Sequence, residues 1–533
     1  MGTLWFGGNI YTLEQEKGKV DAVFTKNGRI VDVGSYETLT TQYSDEITEK
    51  QNLQGHTMIP GLVDSHLHLI AHGEKLLRLD FSKTTNSSEI IQSIKKRATE
   101  VKKGSWIIGE GWNENQLEDQ RILHRSDLDE VSPDHPVMLR RICRHAIIAN
   151  SKALELANIS KESDDPAGGV IVRDQELNPT GYLLDQAQEL VLNIAPSPTV
   201  EELEFALQTS IKDCYQKGLV GAHTEDLSYY GSLENTLEAF QRVLNNGLKF
   251  RSHLLVHHLI VDEFQQKKRE IGEFGEFGAM KIFADGALGG RTALLSFPYK
   301  DEPATSGVAI HTKKELEGLV QKARQYKMEV AVHVIGDLAF QWTIDIIKNN
   351  PPLKGQHDRL IHAQILRKEL IEKAKNLPII LDIQPRFVTS DFPWVIDRIG
   401  EEHLESCYAW KTLLNEGIHC AGGSDAPIEP VDPLLGIHAA VTRTSEYEET
   451  GKSYLPEEKL SMYEAVELFT KGSAYAIHHE RDRGMIKKGY TADFTILDQD
   501  IFTIEPDKLL STNVMMTVVD NEIVYKKNAL QIT

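Results

Sequence analysis

Asp64-Ser65-His66-Leu67-His68 puts two imidazoles two residues apart at the end of an apolar run. Alternate side chains of an extended chain face the same way, so His66 and His68 can reach one cation together. Such a pair recurs by chance, and its meaning depends on what else the chain brings to it. Lys281, His333, His362 and Asp425, the last in Gly423-Ser424-Asp425, follow at wide intervals. Neutral imidazoles and a carboxylate suit Zn²⁺ and other borderline divalent ions. A lysine ammonium cannot ligate a cation, so Lys281 must be deprotonated, modified or placed elsewhere. Carbamylation by CO₂ would turn Lys281 into a long carboxylate able to bridge two ions.

Each of these residues sits at or just past the end of a short apolar run, and the runs predict the elements that position them. Candidate strands cover 58–65, 219–223, 250–256, 279–283, 329–333, 359–362, 379–383 and 418–421. Most are separated by helix-like stretches, the repeat of a parallel (β/α)₈ TIM barrel, whose active sites lie at the carboxyl ends of the strands. About 150 residues separate the first candidate from the second, too many for a structureless loop, so 75–205 is expected to be an inserted subdomain. Ser461-Met462-Tyr463-Glu464 reads as a capping box opening a helix that runs to about Ile477.

The two ends of the chain read differently. Asn27-Gly28, between 22–26 and 29–33, is a two-residue hairpin signal, and Asp520-Asn521 between two β-rich runs is another. Isolated hairpins are marginal in water. One small β-sandwich assembled from 1–57 and 482–533 is the economical reading, with the barrel domain spanning 58–481.

Length and composition set the outer limits. The 533 residues exceed one compact core, while 41% hydrophobic and 26% charged residues describe an ordinary globular protein. A net charge of −21 at pH 7 argues against a nucleic-acid surface. Cys143, Cys214, Cys407 and Cys420 lack metal-knuckle spacing and fit reduced thiols. With no basic, apolar leader and no run of transmembrane length, the expected location is cytoplasmic. A small-molecule substrate is the expected partner, with no nucleic acid and no membrane; homo-oligomer formation stays open.

Several longer segments carry a resemblance. They are Pro60-Gly61-Leu62-Val63-Asp64-Ser65-His66-Leu67-His68, Lys281-Ile282-Phe283-Ala284-Asp285-Gly286-Ala287-Leu288-Gly289-Gly290-Arg291-Thr292-Ala293 and His333-Val334-Ile335-Gly336-Asp337. His362-Ala363-Gln364, Ile383-Gln384-Pro385, Gly422-Gly423-Ser424-Asp425-Ala426-Pro427 and Gly489-Tyr490-Thr491-Ala492-Asp493-Phe494 follow in order. Together they resemble the amidohydrolase superfamily, in the YtcJ-like (amidohydrolase 3) branch that includes N-substituted formamide deformylase. The resemblance implies a metal-dependent hydrolase cleaving a non-peptide carbon–nitrogen bond, with zinc as the expected metal, one or two ions per chain. It implies His66, His68 and Asp425 on the more buried ion, His333 and His362 on the second, and carbamylated Lys281 between them. It also implies Asp425 as the proton shuttle, taking a proton from the water and returning it to the leaving group.

Arg291 and Thr292 follow strand four and Gln384 and Arg386 leave strand seven, so these are candidates for contact with substrate. Trp112 and His145 resemble family segments that cover the site. Simpler readings stand beside these: His223 as a packed core residue, His257-His258 and His478-His479 as surface pairs, and Glu446-Tyr447-Glu448-Glu449 as a solvated loop. Lys281 could pair with Asp285 or Asp425, Arg291 with a partner of its own, and Trp112 could be core packing. Ester, lactone or phosphoester hydrolysis on the same metals is one alternative, and a non-catalytic metal-binding regulator is another.

Overall fold

The computed structural model describes residues 2–527 apart from 115–116, 142–145, 167, 195–196, 393 and 446–450. Eight parallel strands in sequence order form its central sheet. We label them β1 (Leu62–Leu67), β2 (Leu219–Thr224), β3 (Arg251–His257), β4 (Gly275–Phe283), β5 (Val330–Val334), β6 (Asp358–His362), β7 (Ile379–Ile383) and β8 (His419–Gly422). Every neighbour in the order β8 to β1 is hydrogen-bonded. Past its end, β8 returns to β1: Ser424 N–H donates to the Asp64 carboxylate and Asp425 N–H to the His66 carbonyl at 2.7 Å. This is the expected (β/α)₈ barrel.

The helices form where local signals ask for them. Helices Val200–Gln216 and Lys313–Gln325 both open on a capping box, Thr199 with Glu202 and Thr312 with Glu315, which satisfies two orphan N–H groups at each start. The Ser461–Glu464 box opens Met462–Glu467 as expected, but the helix then loosens into a π-turn over Leu468–Gly472. The buried strand Leu219–Thr224 is covered on both faces, as parallel barrel strands are.

Both termini feed one mixed eight-stranded sheet. Asn27 and Gly28, at φ 51° and 72°, make the hairpin turn between Lys19–Lys26 and Arg29–Gly34; Asp520 and Asn521, at 54° and 63°, make the other. Trp5, Val23, Met58, Phe494, Ile496 and Val518 share its core. The first expected strand divides here. Thr57–Pro60 pairs with Phe494–Leu497 in the terminal sheet, and only Leu62–Leu67 belongs to the barrel. Gly61 is the break: its N–H donates to the Asp493 carbonyl, and a Cβ there would come within 2.5 Å of Val220.

Residues 74–198 form a separate compact unit. Its six-stranded sheet runs Gly169–Arg173, Pro179–Asp185, Ala146–Ala149, Val137–Arg141, Ile107–Trp112, Leu79–Asp80. Strand alternation splits Val137 and Leu139 onto one face and Met138 onto the other, and each face has its own core. Among the described residues no helix is long and apolar enough to cross a membrane, and Cys214, Cys407 and Cys420 are buried free thiols.

Candidate metal centre

The carboxyl ends of the barrel strands carry His66 and His68 (β1 and its exit), Lys281 (β4), His333 (β5), His362 (β6) and, beyond β8, Asp425. All six line one cavity of about 380 Å³. Asp425 Oδ1 lies 3.6 Å from His66 Nε2 and 3.5 Å from His68 Nε2. Nitrogen and oxygen ligands about 2.0–2.2 Å from one tetrahedral ion stand about 3.3 Å apart, close to both Asp425–histidine separations. The His333 and His362 rings lie 4.6 Å apart, and the His66 and His362 rings 5.6 Å.

The surroundings fix the imidazoles. His68 Nδ1 is 2.8 Å from the Glu225 carbonyl, and His362 Nδ1 is 2.7 Å from Gln384 Oε1, leaving each Nε2 for the cavity. Burial pushes His66 and His333 well below the usual imidazole range and His362 down to about 4, so all three are neutral and able to ligate. Burial also opposes charge on His68, but its hydrogen bond and proximity to Asp425 prevail, raising it to about 9. The Asp425 carboxyl, pushed up by burial, is held below its ordinary value by His68 and the neighbouring cationic groups. Burial raises Asp64 to about 7 despite the N–H donors of His66 and Ser424. Asp425 and His362 adopt φ of 57° and 79°, left-handed conformations that non-glycine residues keep where the surroundings over-determine them.

Glu225, one residue past β2, was not singled out from the sequence. It is fully buried, and its carboxylate pairs with Lys281 Nζ at 2.7 Å and accepts from Tyr229 Oη at 2.7 Å. Lys281 Nζ also lies 3.4 Å from His66 Nε2. The alternative lysine partners are thereby corrected: Asp285 instead accepts three backbone N–H groups, from Leu294, Ile335 and Gly336. One ligand atom each from His66, His68 and Glu225 can gather within 4.8 Å. The signal for Glu225 was available, since an acidic residue just past a strand's carboxyl end is the criterion that selected Asp425.

The other candidates lie elsewhere. Gln384 is buried behind His362, not in the cavity wall. Arg291 pairs with Asp301 on the loop after β4, at 2.9 and 3.1 Å, and Thr292 bonds back to Ala287 in the same loop. Arg386 pairs with Glu429 at 2.7 Å. Trp112 is buried in the core of the inserted unit, its indole N–H donated to the Leu139 carbonyl. His145 and the acidic stretch at 446–449 lie outside the described residues. His223 is a buried core residue. His257, expected at the surface, is buried because β3 runs on through it, and its ring stacks on His258 at 4.5 Å.

Comparison with known proteins gives the arrangement a context. A family model described as "Amidohydrolase family" matches residues 49–525. The chain is 53% identical to a protein named "Putative amidohydrolase YtcJ" of Bacillus subtilis, over 99% of this chain and 100% of that one. It is 25% identical to the N-substituted formamide deformylase of Arthrobacter pascens, over 97% of both. Among solved structures, a metal-dependent hydrolase from Pyrococcus furiosus superimposes with a TM-score of 0.79 at 29% identity, covering 94% of this chain and all of that one.

Proposed function

The chain belongs to the amidohydrolase family and is a hydrolase, and from that premise we propose that it cleaves a non-peptide carbon–nitrogen bond of an amide type. The observation that carries this is the convergence of His66, His68, Lys281, His333, His362 and Asp425 on one cavity. His66, His68 and Asp425 would hold one divalent ion, most simply zinc, and His333 with His362 a second. A divalent ion there supplies Lewis acidity toward the carbonyl and a hydroxide nucleophile near neutral pH.

Lys281 is the hinge of that assignment. Its Nζ lies 3.4 Å from His66 Nε2, so an ammonium there would oppose a cation held by His66. After the Lys281 nitrogen loses one proton, its lone pair would bond to the carbon of CO₂ and a second proton would leave to solvent, giving a carbamate anion; Glu225 takes no part in the new N–C bond and would be freed as an additional anionic group.

Asp425 accepts a proton from the attacking water as the new carbon–oxygen bond forms, then delivers it to the departing nitrogen as the carbon–nitrogen bond breaks. The products are a carboxylic acid and an amine. Phe283, Leu288, Ile335, Phe387, Trp394 and Ile428 line much of the cavity, which favours a substrate with an apolar substituent. Among the described residues, the basic side chains near it, Lys281 and Arg386, already pair with Glu225 and Glu429, so neither is left to recognise a phosphate group beyond the metal site.

The test is turnover by protein loaded with zinc and bicarbonate. Neutral amides, N-substituted formamides among them, should release amine, and the Asp425→Asn variant should not. Hydrolysis confined to esters or phosphoesters, or no hydrolysis across amides, formamides, carbamates and cyclic amides, would overturn the assignment.

A further inference from the structure

The other end of the barrel carries metal-ligating side chains that this chemistry does not use. Glu329 immediately precedes β5 and His357 immediately precedes β6, so both stand at the amino ends of adjacent strands. His478 comes from the segment after the last barrel helix. Glu329 Oε1 lies 2.6 Å from His478 Nε2 and accepts the His357 backbone N–H at 2.7 Å. One ligand atom from each of Glu329, His357 and His478 lies within 4.8 Å of the other two.

An ion pair between Glu329 and His478 explains two of the three residues and leaves the third. The His357 side chain is 6% exposed, and its Nε2 is buried without a hydrogen-bond partner. The backbone of Ala476 hydrogen-bonds this ring. With Nε2 unpartnered, that bond falls to Nδ1, which fixes the tautomer and leaves a lone pair on Nε2. A ligating histidine is oriented in the same way, with its other nitrogen donating to a carbonyl. The Tyr475 ring stacks on His357 at 4.7 Å and 5°, and the His478 ring lies 4.3 Å away, so the imidazole is held in place. A buried acceptor left without a donor is costly, and a cation removes the cost.

We propose that Glu329, His357 and His478 form a second site, for a divalent transition ion of the zinc class, at the amino end of the barrel. Two imidazoles and a carboxylate are a zinc-type donor set, and a water completes the tetrahedron. Exposure favours entry: the His478 side chain is 39% exposed and that of Glu329 13%. The ion replaces the proton shared by Glu329 and His478, and ties the segment around Tyr475–His478 to the base of β5 and β6.

Zinc per chain, measured by elemental analysis and calorimetric titration of the full-length protein, tests this. His478→Gln, at an exposed position, and Glu329→Gln, which keeps the side-chain shape, should each bind one equivalent fewer than the parent. Both should keep the turnover of the zinc-loaded parent, because the hydrolytic site is untouched. Cobalt(II) substitution should show a visible-band component lost in the same variants. Equal zinc per chain in parent and both variants, with an unchanged cobalt spectrum, would overturn the proposal and leave a water as the partner of His357.

Discussion

The Lys281–Glu225 pair yields the sharpest prediction, because both side chains are no more than 1% exposed and their charged atoms are 2.7 Å apart. At an effective dielectric of about 20 that contact is worth about 6 kcal/mol of attraction, against desolvation of several kcal/mol per ion. The net value of the pair is therefore small, but loss of one partner leaves the other charge buried. Glu225→Gln and Lys281→Met should each lower the stability of chelator-treated, bicarbonate-free protein by about 3–5 kcal/mol. The double variant should cost only about 0–2 kcal/mol, far below the sum of the singles, since neither buried charge survives in it. Urea unfolding of the four proteins, with thermal melts alongside, completes the cycle. Additive single effects, or single effects below about 1 kcal/mol, would show that Lys281 is neutral or displaced in the resting chain, and the account of its charge would fall. If the cycle holds, the ion pair with Glu225 competes with carbamylation of Lys281, and Glu225→Gln should reach full zinc loading at lower bicarbonate than the parent.

Asp425→Asn should retain zinc through the histidines but lose about 10²–10⁴-fold in kcat, as expected for loss of a general base; turnover within a few-fold of the parent would place the proton carrier elsewhere. Gly423→Ala should weaken zinc binding and lower stability by about 1–3 kcal/mol, because its Cβ would stand 2.6 Å from the His66 backbone nitrogen and 2.9 Å from Asp64; normal zinc affinity in calorimetry would show that β1 yields freely. Asp493, pushed up by burial, is held below its ordinary 3.8 by Arg251, which contacts it at 2.5 and 3.0 Å. A depressed folded-state value means this stabilisation is complete above 3.8 and lost as pH falls through the lower folded value. Urea midpoints measured downward from neutral pH should therefore fall more steeply in the parent than in Arg251→Met, and parallel curves would refute the linkage.

Much of the architecture was legible because local chemistry and global role coincide. Asn27-Gly28 and Asp520-Asn521 announce turns with two positive φ values, and the turns are there. His66, His68, His333, His362 and Asp425 all follow apolar runs, and a parallel barrel brings every such position to one end. What failed did so where tertiary contacts override the run. Residues 58–60 continue the apolar stretch of β1 without a break in hydropathy, yet pair with Phe494–Leu497, because Gly61 redirects the chain where only a residue without Cβ fits beside Val220. His257 reads as half of a diverging surface pair, yet β3 extends through it into the interior. Glu225 was missed because the strand was ended at His223, while β2 continues through Thr224. Arg291, Thr292 and Gln384 follow strand ends closely in sequence, and that nearness does not fix the direction a loop takes after the strand.

That contrast explains why the reaction class is easier to read than the substrate. Of the candidate ligands, His66, Lys281, His333 and His362 lie in barrel strands, with His68 and Asp425 just past strand ends, so their spacing follows largely from the sheet. The apolar groups facing the same cavity come largely from the segments after β4, β7 and β8, which contribute Leu288, Phe387 and Ile428. Leu288 and Phe387 lie outside the strand ladder that holds His333 and His362, although the Phe387 ring stacks on His362 at 5.9 Å. Specificity built this way is set by a few side chains of roughly interchangeable hydrophobic character, each worth about 1–3 kcal/mol of discrimination per methylene-sized change. Trimming Leu288 and Phe387 should therefore shift the preferred substituent by about 10–200-fold while leaving Asp425-dependent chemistry intact. If instead kcat fell equally for every substrate, the loops would be part of the machinery that aligns the ligands, and the division between rigid ligand and variable wall would not hold.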